Sequence, residues 1–536
     1  MSLWAVAAAA ALFVLLGLLG SRFASALASP ADGALYRGVI YTMAGAVALH
    51  LVLTLLDFAG VRWSLPVLAV AAVLIAGVAG IATSFDAPGS APAQDPHSPS
   101  PSLPSSPPPA GREGSRKPNK GGIVLGCSPS SPGGRGGGWE KRAGVMRVLG
   151  GGAPRHVKFA PRGSGGEGLG RGELAWGDAL ALFALAVFTA FALSGWIAMP
   201  DYVYHWGFKG YRFYLAGGVD YTFLAHGWNW AIHPDYPNLV PEMFAVTALL
   251  AGSFQMPAMM LGTAVLFALF VAACREGLRQ GGAPAFVRQA GTALVALSSA
   301  AFGIGYIMAG AADWNLALAL AAALPPLLRP PDRTGDYQIA VIAAFAAASK
   351  IEGVPLAAFL VAIQVFRHAW SEWTERRLSL GAAPGAVVAA GLLPAAVVLP
   401  WLGRAGHHHL FQAFNSGAFG VARAGEVFAG VGEALQLPAW HGFLPVMFLP
   451  PLLLVPRRTR AFAAAATLEL LFYFYVYFTT PVANYRYFVL SNFPRLGFQL
   501  VPACMVAALM AWGAAKSERP AGSFPPAAPT PSKEPA

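Results

Sequence analysis

The chain has 536 residues, of which 56% are hydrophobic and only 11% are charged. Soluble domains are about 25% charged, so this composition excludes a mainly soluble protein and indicates a chain that lies largely in lipid. The net charge of +11 does not indicate a nucleic-acid partner, because twelve Lys and Arg residues lie in one polar stretch (112–171) and many others lie in short loops between apolar runs. Basic short loops are typical of the cytoplasmic side of membrane proteins.

Apolar runs approaching or exceeding the length of about 20 residues that crosses a bilayer recur along the chain. The sequence predicts them near 3–20, 36–57, 63–84, 176–198, 240–274, 287–310, 314–330, 338–367, 382–400, 442–456, 461–480 and 496–514. The fold class predicted from these runs is an all-α polytopic membrane protein with about 13 spans. The first run has no basic residue before it, which favours a retained helix over a cleaved signal peptide.

Residues 86–172 interrupt this pattern with Pro, Ser, Gly and Arg. Such a segment buries too little apolar surface to fold, so we predict a disordered, basic, cytoplasmic insertion. A functional tail and an inert insertion both fit, and the absence of a motif favours the inert one. The insertion divides the chain into three N-terminal transmembrane helices (1–85), a transmembrane domain (173–514) and a Pro-rich, disordered C-terminal tail (515–536).

Placing the insertion in the cytoplasm sets the direction of every later run. The loop after residue 198 becomes external, and most basic loops become internal. The basic loop after the run at 338–367 is internal only if this run crosses toward the external side and returns. This requirement predicts two half-length helices around the break at 349–353. A broken helix at membrane depth is tolerated where it lines a polar cavity. We therefore expect Lys350 and Glu352 at an external cavity, with the N-terminus outside and the C-terminus inside.

The unusual polar residues collect on this external side. They are Asp201, His205, Lys209, Arg212, Asp220, His226, His233, Asp235, Glu242, Asp313, Lys350, Glu352, Tyr485, Arg486 and Arg495. Cations of this kind hold a phosphate, and a carboxylate removes a proton from an attacking hydroxyl or amine.

Each of these residues also has a structural interpretation. Asp201 alone fits a solvated or capping residue, and Asp235 between prolines fits a turn. Lys350 and Glu352 fit a structural ion pair as well as a functional one. The tryptophans of the external loop fit interface anchors better than platforms for a sugar.

Metal chemistry has little support in the sequence. The three cysteines (Cys127, Cys274 and Cys504) have no paired spacing, which predicts neither a disulfide framework nor a zinc site. The row His407–His409 lies between loop-like flanks, and adjacent histidines cannot all face one ion from a regular element.

Five features in chain order carry a resemblance to a known family. They are Asp201 followed by Trp206 and Lys209, then His233-Pro-Asp-Tyr-Pro237, Asp313, Lys350-x-Glu352-Gly353, and Ser491-x-x-x-Arg495-x-x-x-Gln499-x-x-Pro502. On these features residues 176–514 resemble the GT-C class of polytopic glycosyltransferases. The likeness is nearest to the bacterial branch that includes the lipid A aminoarabinose transferases and the protein mannosyltransferase-like family.

The resemblance implies a GT-C-like helix bundle with juxtamembrane helices in the external loop. It also implies sugar transfer, for example of a hexose, from a polyprenyl-phosphate donor with inversion at the anomeric carbon. Asp201 would be the general base. Asp313 would assist it or, with Asp201, help to hold a divalent cation such as Mg²⁺ or Mn²⁺ where one is used. Lys350 and Arg495 would hold the lipid phosphate. The other substrate-binding candidates are Lys209, His233, Asp235, Tyr236, Glu352, Arg486 and Gln499.

The chain also departs from the family pattern. Three extra spans precede the similar part, and the first external loop has a single Asp where protein mannosyltransferases carry an Asp-Glu pair. The acceptor class (glycan, lipid or protein) therefore stays open. The expected partners are membrane lipids and the lipid-linked donor, without nucleic acid, in the cell envelope at a bacterial inner membrane with the catalytic loops facing the periplasm.

Two other functions remain open from the sequence. A transporter or flippase of lipid-linked saccharides would line a polar path through the whole membrane, whereas the polar residues here cluster on one side. An O-antigen ligase or polymerase-type protein usually has a large late external loop, for which residues 401–441 are a modest candidate. No nucleotide-binding motif is visible in a suitable context.

Overall fold

The computed structural model describes residues 3–74, 175–226, 232–375, 383–404, 420, 423–437, 443–454, 456–480 and 484–517. Within these ranges the chain is all helical, apart from one isolated β-bridge between Ala198 and Ala309. The insertion at 86–172, His407–His409 and Cys127 lie outside the described residues, so the predictions made for them stay untested.

The principal helices are labelled in chain order. They are α1 (Leu3–Ser21), α2 (Ala34–Phe58), α3 (Leu65–Leu74), α4 (Trp176–Ser194), α5 (Gly207–Ala216), α6 (Leu239–Ala251), α7 (Met256–Gln280), α8 (Ala285–Gly305), α9 (Asp313–Leu328), α10 (Arg333–Ser349), α11 (Gly353–Glu375), α12 (Ala383–Arg404), α13 (Ala424–Ala434), α14 (Arg460–Thr479) and α15 (Tyr485–Ser517).

Eight helices in the described part are long and apolar enough to cross a membrane: α1, α2, α4, α7, α8, α11, α14 and α15. The chain is therefore a polytopic helical membrane protein. Shorter apolar helices, including α6 and α9, complete the bundle. The predicted total of about 13 spans stays a prediction.

Two apolar runs differ from the expected form. The run at 240–274 is two helices, because Gly252 adopts a left-handed conformation at φ 72° and ends α6 before α7 begins. The run at 442–456 was expected to be a span, but its described residues form short 3₁₀ turns at Leu444–Phe448 and Leu452–Leu454. Prolines at 445, 450 and 451 remove the backbone donors that a continuous α-helix needs.

The predicted helix break is present. Helix α10 ends at Ser349, Lys350 is extended, and α11 begins at Gly353. Both helices are longer than the half-length pieces expected, at 17 and 23 residues. A side chain at Gly353 would lie 1.9 Å from the Ala346 carbonyl oxygen, so only glycine permits this tight reversal.

The N-terminal helices are part of the same compact unit as the later ones. Helices α1 and α2 pack in close contact, because Gly20 meets the Tyr41 carbonyl and Gly45 meets the Leu16 carbonyl where no side chain would fit. Farther along α2, the buried His50 Nδ1 lies 2.6 Å from Glu242 Oε2 on α6. Two of the three extra spans expected from the sequence, α1 and α2, are thus docked on the rest of the bundle, and of the third the structure describes only Leu65–Leu74.

A buried network of charged and polar side chains holds the N-terminal helices against the later helices at one end of the bundle. Asp32, between α1 and α2, accepts hydrogen bonds from Arg329 Nη1 at 2.8 Å, Gln338 Nε2 at 2.7 Å and Gln280 Nε2 at 2.9 Å. The backbone N–H of Gly33 donates to Glu276 at 2.9 Å. Asp32 is only 5% exposed, so its charge depends on these partners.

The same end of the bundle carries basic residues of α7 and α11. Arg279 bonds to Glu276, Arg275 pairs with Asp178, and Arg367 donates to the Pro326 carbonyl. This grouping agrees with the prediction from the sequence that most of the basic segments lie on one side of the membrane. Which side of the membrane that end faces remains a prediction.

We expect Asp32→Asn to destabilise the protein by about 3–5 kcal/mol, because it leaves the buried Arg329 guanidinium without its anionic partner. The measurement is the thermal unfolding midpoint of the detergent-solubilised full chain. Glu433→Gln is the control, since the Glu433 pair with Arg486 is exposed and should matter little. Equal midpoints for Asp32→Asn and the control would show that the network does not hold the N-terminal helices.

Candidate active site

Two loops that each carry a predicted acidic residue are joined directly. The Met199 N–H donates to the Ala309 carbonyl at 2.9 Å, and the Ala309 N–H donates to the Ile197 carbonyl at 2.9 Å. Gly310 follows at φ 83°, and a side chain there would lie 2.7 Å from Tyr202. This bridge fixes Asp201, after α4, beside Asp313 at the start of α9.

Arg495 links the two carboxylates. Its Nη2 atom lies 2.5 Å from Asp201 Oδ2 and 3.0 Å from Asp313 Oδ2. A single guanidinium nitrogen therefore serves two acidic residues that are 112 positions apart in the chain. The sequence predicted that all three residues lie on one side of the membrane, and the structure places them in contact.

Lys350 and Gln499 complete the surroundings of Asp313. Lys350 Nζ lies 3.1 Å from Asp313 Oδ1 and 2.9 Å from Glu352 Oε1. Gln499 Nε2 donates to Asp313 Oδ1 at 2.7 Å. We call Asp201, Asp313, Lys350, Glu352, Arg495 and Gln499 the charged cluster.

The two aspartates differ in accessibility. The Asp313 side chain is fully buried, and both of its oxygens are engaged by cations or amide donors. The Asp201 side chain is 23% exposed, and its Oδ1 atom lies 3.8 Å from His205 Nε2, beyond hydrogen-bond distance. Asp201 is therefore the carboxylate of this pair that an incoming group can reach, and Asp313 anchors the cations.

The loop that ends in His233-Pro-Asp-Tyr-Pro237 lies against the helix that follows Asp201. Lys209, on α5, donates from Nζ to the His233 carbonyl at 2.9 Å and approaches the Tyr236 carbonyl at 3.4 Å. The His233 ring lies 4.6 Å from the His205 ring and 4.7 Å from the Tyr236 ring. Three of the predicted substrate-binding residues are thus brought together beside Asp201.

Lys209 is fully buried and holds this loop rather than facing a cavity. Burial lowers the pKa of Lys209 to about 7, with Asp235 acting in the opposite direction. Burial and the neighbouring His205 also lower the pKa of His233, which disfavours the charged form of that ring. Asp235 is buried beside His233 in the turn, which fits the structural interpretation given above.

We expect the stability of the wild type relative to Lys209→Met to rise with pH. Between about pH 7 and the ordinary lysine pKa of 10.5, the unfolded chain holds a proton that the folded protein lacks, so raising the pH favours the folded state. The measurement is the difference in unfolding midpoint between the two proteins from about pH 6 to about pH 10. The other titratable groups are common to both proteins, so their effects cancel in this difference. A difference that stays constant over this pH range would show that the pKa of Lys209 is that of an ordinary lysine.

Arg486 does not join the charged cluster. It pairs with Glu433 of α13, with Nε 2.9 Å from Glu433 Oε2, and its side chain is 61% exposed. It precedes Arg495 by nine residues on α15, a separation of about 13 Å along a helix. Its predicted contact with substrate would require a large acceptor or donor group.

The cluster does not fit a divalent cation. Among the described residues no group of three His, Cys, Asp or Glu side chains is placed to hold a metal. The oxygens of Asp313 already face an ammonium, a guanidinium and an amide, and Asp201 shares that guanidinium. A metal would need ligands that now bind fixed positive charges, so we derive no chemical step through one.

Sequence reasoning missed the polar residues of α14 that lie behind the cluster. The Tyr473 hydroxyl donates to Gln499 Oε1 at 2.5 Å. The buried hydroxyl of Tyr477 and the fully buried Glu469 of the same helix have no hydrogen-bond partner of normal geometry among the residues described. An acidic residue within an apolar run was the signal that would have identified this helix.

Comparison of the chain with protein-family models, with curated proteins and with solved structures gave no match.

Proposed function

We propose that this protein is a membrane glycosyltransferase of GT-C type that transfers a sugar from a polyprenyl-phosphate donor to an acceptor on the external side. The observation that carries the proposal is the sharing of Arg495 between Asp201 and Asp313, with Lys350 on the second carboxylate. Two fixed cations and the partly exposed Asp201 carboxylate lie together at one end of a membrane-spanning bundle.

The cations suit the phosphate of a lipid-linked donor. Arg495 and Lys350 are each held from behind by Asp313, which orients them and leaves their remaining donors for a phosphate. The same contacts would stabilise the lipid phosphate as the leaving group when the bond between the anomeric carbon and the phosphate oxygen breaks.

Asp201 suits the general base. The acceptor hydroxyl or amine would attack the anomeric carbon from the face opposite the phosphate and give its proton to Asp201. In the structure Arg495 neutralises Asp201. A donor phosphate competes for that guanidinium, so donor binding would free the carboxylate for this proton transfer.

Polar atoms without partners near the cluster support a ligand there. Glu352 Oε2 and the Tyr477 hydroxyl are both buried and make no hydrogen bond within the part of the chain that the structure describes. Buried polar atoms nearly always have a hydrogen-bond partner. A ligand that binds between these residues and supplies one would remove the free-energy cost of burying them without a partner.

A transporter is less well supported. The charged cluster and the Asp32 network lie at opposite ends of α9, about 24 Å apart at 1.5 Å per residue. Residues 316–324 of α9, between the two, are only Leu and Ala and are buried. An O-antigen ligase or polymerase would carry out a second kind of transfer with the same phosphate chemistry, and its candidate loop at 401–441 is described only at 401–404, 420 and 423–437.

The test is a transfer assay with membranes that contain the full chain. Radiolabelled polyprenyl-phosphate sugars would be supplied one at a time, and label would be followed into lipid, glycan and protein fractions. Label that moves to an acceptor only when the protein is present supports the proposal. Binding of the donors without transfer of any label would instead favour a transporter.

A further inference from the structure

Glu469 lies near the middle of α14 and is fully buried. An ionised carboxylate in a membrane-spanning helix is costly unless a cation or several donors face it. Among the described residues, neither oxygen of Glu469 has a hydrogen-bond partner of normal geometry. The described side chains that interact with it are Tyr473, one turn along the helix, and the acidic Glu352.

The number of protons that Tyr473 can donate determines whether Glu469 is ionised or neutral. Tyr473 has one hydroxyl proton, and it is donated to Gln499 Oε1. Gln499 then donates from Nε2 to Asp313. If Glu469 were ionised, it would draw the Tyr473 proton toward itself, and Gln499 Oε1 would lose its donor.

Turning the Gln499 amide around does not repair that loss. In the turned form Nε2 would face Tyr473 and the amide oxygen would face the Asp313 carboxylate, which places two acceptors against each other. A neutral Glu469 avoids this conflict, because its own O–H can donate to the Tyr473 oxygen. The donors then run in one direction from Glu469 through Tyr473 and Gln499 to Asp313.

We infer that Glu469 is a neutral carboxylic acid and a positioning residue for the charged cluster. It sets the direction of the Tyr473–Gln499 hydrogen bonds, which hold Asp313 and, through it, Lys350 and Arg495. This inference rests on the proposed function only for its effect on transfer, since the protonation state of Glu469 is a property of the protein alone.

The protonation state is tested by infrared spectroscopy of the purified full chain at neutral pH. The wild type minus Glu469→Gln difference spectrum should contain the C=O band of a carboxylic acid and no carboxylate band. Tyr473→Phe should shift that acid band, because it removes the hydroxyl oxygen that accepts from Glu469. A carboxylate band in the difference spectrum would overturn the inference, whatever the transfer assay shows.

The positioning effect is tested by the kinetics of two Glu469 variants. Glu469→Gln keeps a donor toward Tyr473, so transfer should stay within about threefold of the wild type. Glu469→Leu removes that donor, and the KM for the lipid-linked donor should rise about tenfold while kcat changes less.

Equal kinetics for the Gln and Leu variants would show that Glu469 does not position the cluster. If the Leu variant fails to insert, Tyr473→Phe provides the same comparison, because it removes the hydroxyl that donates to Gln499. An acid band with no transfer from any donor would leave the assignment of Glu469 in place and remove the proposed function.

Discussion

Membranes that carry Asp201→Asn are expected to transfer sugar about 10²–10⁴ times more slowly than membranes with the wild type. Asparagine has nearly the same shape as aspartate, but its amide cannot take the proton of the acceptor. The Asp201 carboxylate is the exposed member of the pair that shares Arg495, and loss of its basicity should therefore appear in kcat more than in the KM of the donor.

Asp220→Asn is the matched control for this prediction. Asp220 also belongs to the loop after α4, but it pairs with Arg212 at 2.5 Å and caps the short helix Tyr221–Leu224. An asparagine there keeps a capping oxygen and should leave transfer nearly unchanged. The amount of inserted protein should be measured for both variants, so that a lower rate is not confused with a lower amount.

Two results would contradict the assignment of Asp201. Transfer by Asp201→Asn at the wild-type rate would show that another group removes the proton, and His205, whose ring lies close to Asp201, would be tested next. Equal losses in Asp201→Asn and Asp220→Asn would indicate that the whole loop, and not one carboxylate, is sensitive.

The residues of the charged cluster were predictable from the sequence because each is a local anomaly. Lys350 and Glu352 interrupt an apolar run, and Asp313 begins one. The distribution of basic loops then predicted that they lie on the same side of the membrane. A soluble protein has no membrane and so offers no such constraint. The placement of Asp201 and Asp313 on the same arginine was not predictable, because it depends on a backbone bridge between Ala198 and Ala309, residues with no distinctive side chain.

The N-terminal helices show the opposite case. Their sequence predicts spans and nothing about where they pack, since the apolar surfaces of α1 and α2 fit lipid as well as protein. The contacts that dock them depend on single residues, such as Asp32 with Arg329 and His50 with Glu242. Residues almost 200 or 300 positions apart form these pairs, and no local pattern reveals them.

Arg495→Gln is expected to lower transfer by about a hundredfold or more, a loss in the range measured when one partner of a buried charge pair is truncated. Arg495 contacts both Asp201 and Asp313. Without its charge, the donor phosphate loses a ligand, and Asp201 and Asp313 face each other with no shared cation.

Arg486→Gln is a control on the same helix. Its arginine is exposed and pairs only with Glu433 among the contacts that the structure gives it. Transfer and the KM of the donor should therefore stay near the wild-type values. Comparable losses in both variants would mean that positive charge along α15 matters in general, and that the position of Arg495 does not.

Arg495→Lys separates charge from geometry. An ammonium restores the positive charge between the carboxylates, but it is a compact point charge without the planar fork that lets a guanidinium hold two anions and a phosphate together. We expect stability close to that of the wild type and transfer between that of the wild type and Arg495→Gln. Full activity in Arg495→Lys would show that this position requires only a positive charge. Activity as low as that of Arg495→Gln would show that charge contributes nothing without the guanidinium. The intermediate rate is the result that the shared Asp201–Arg495–Asp313 contact predicts, because the lysine keeps the charge and loses the planar fork.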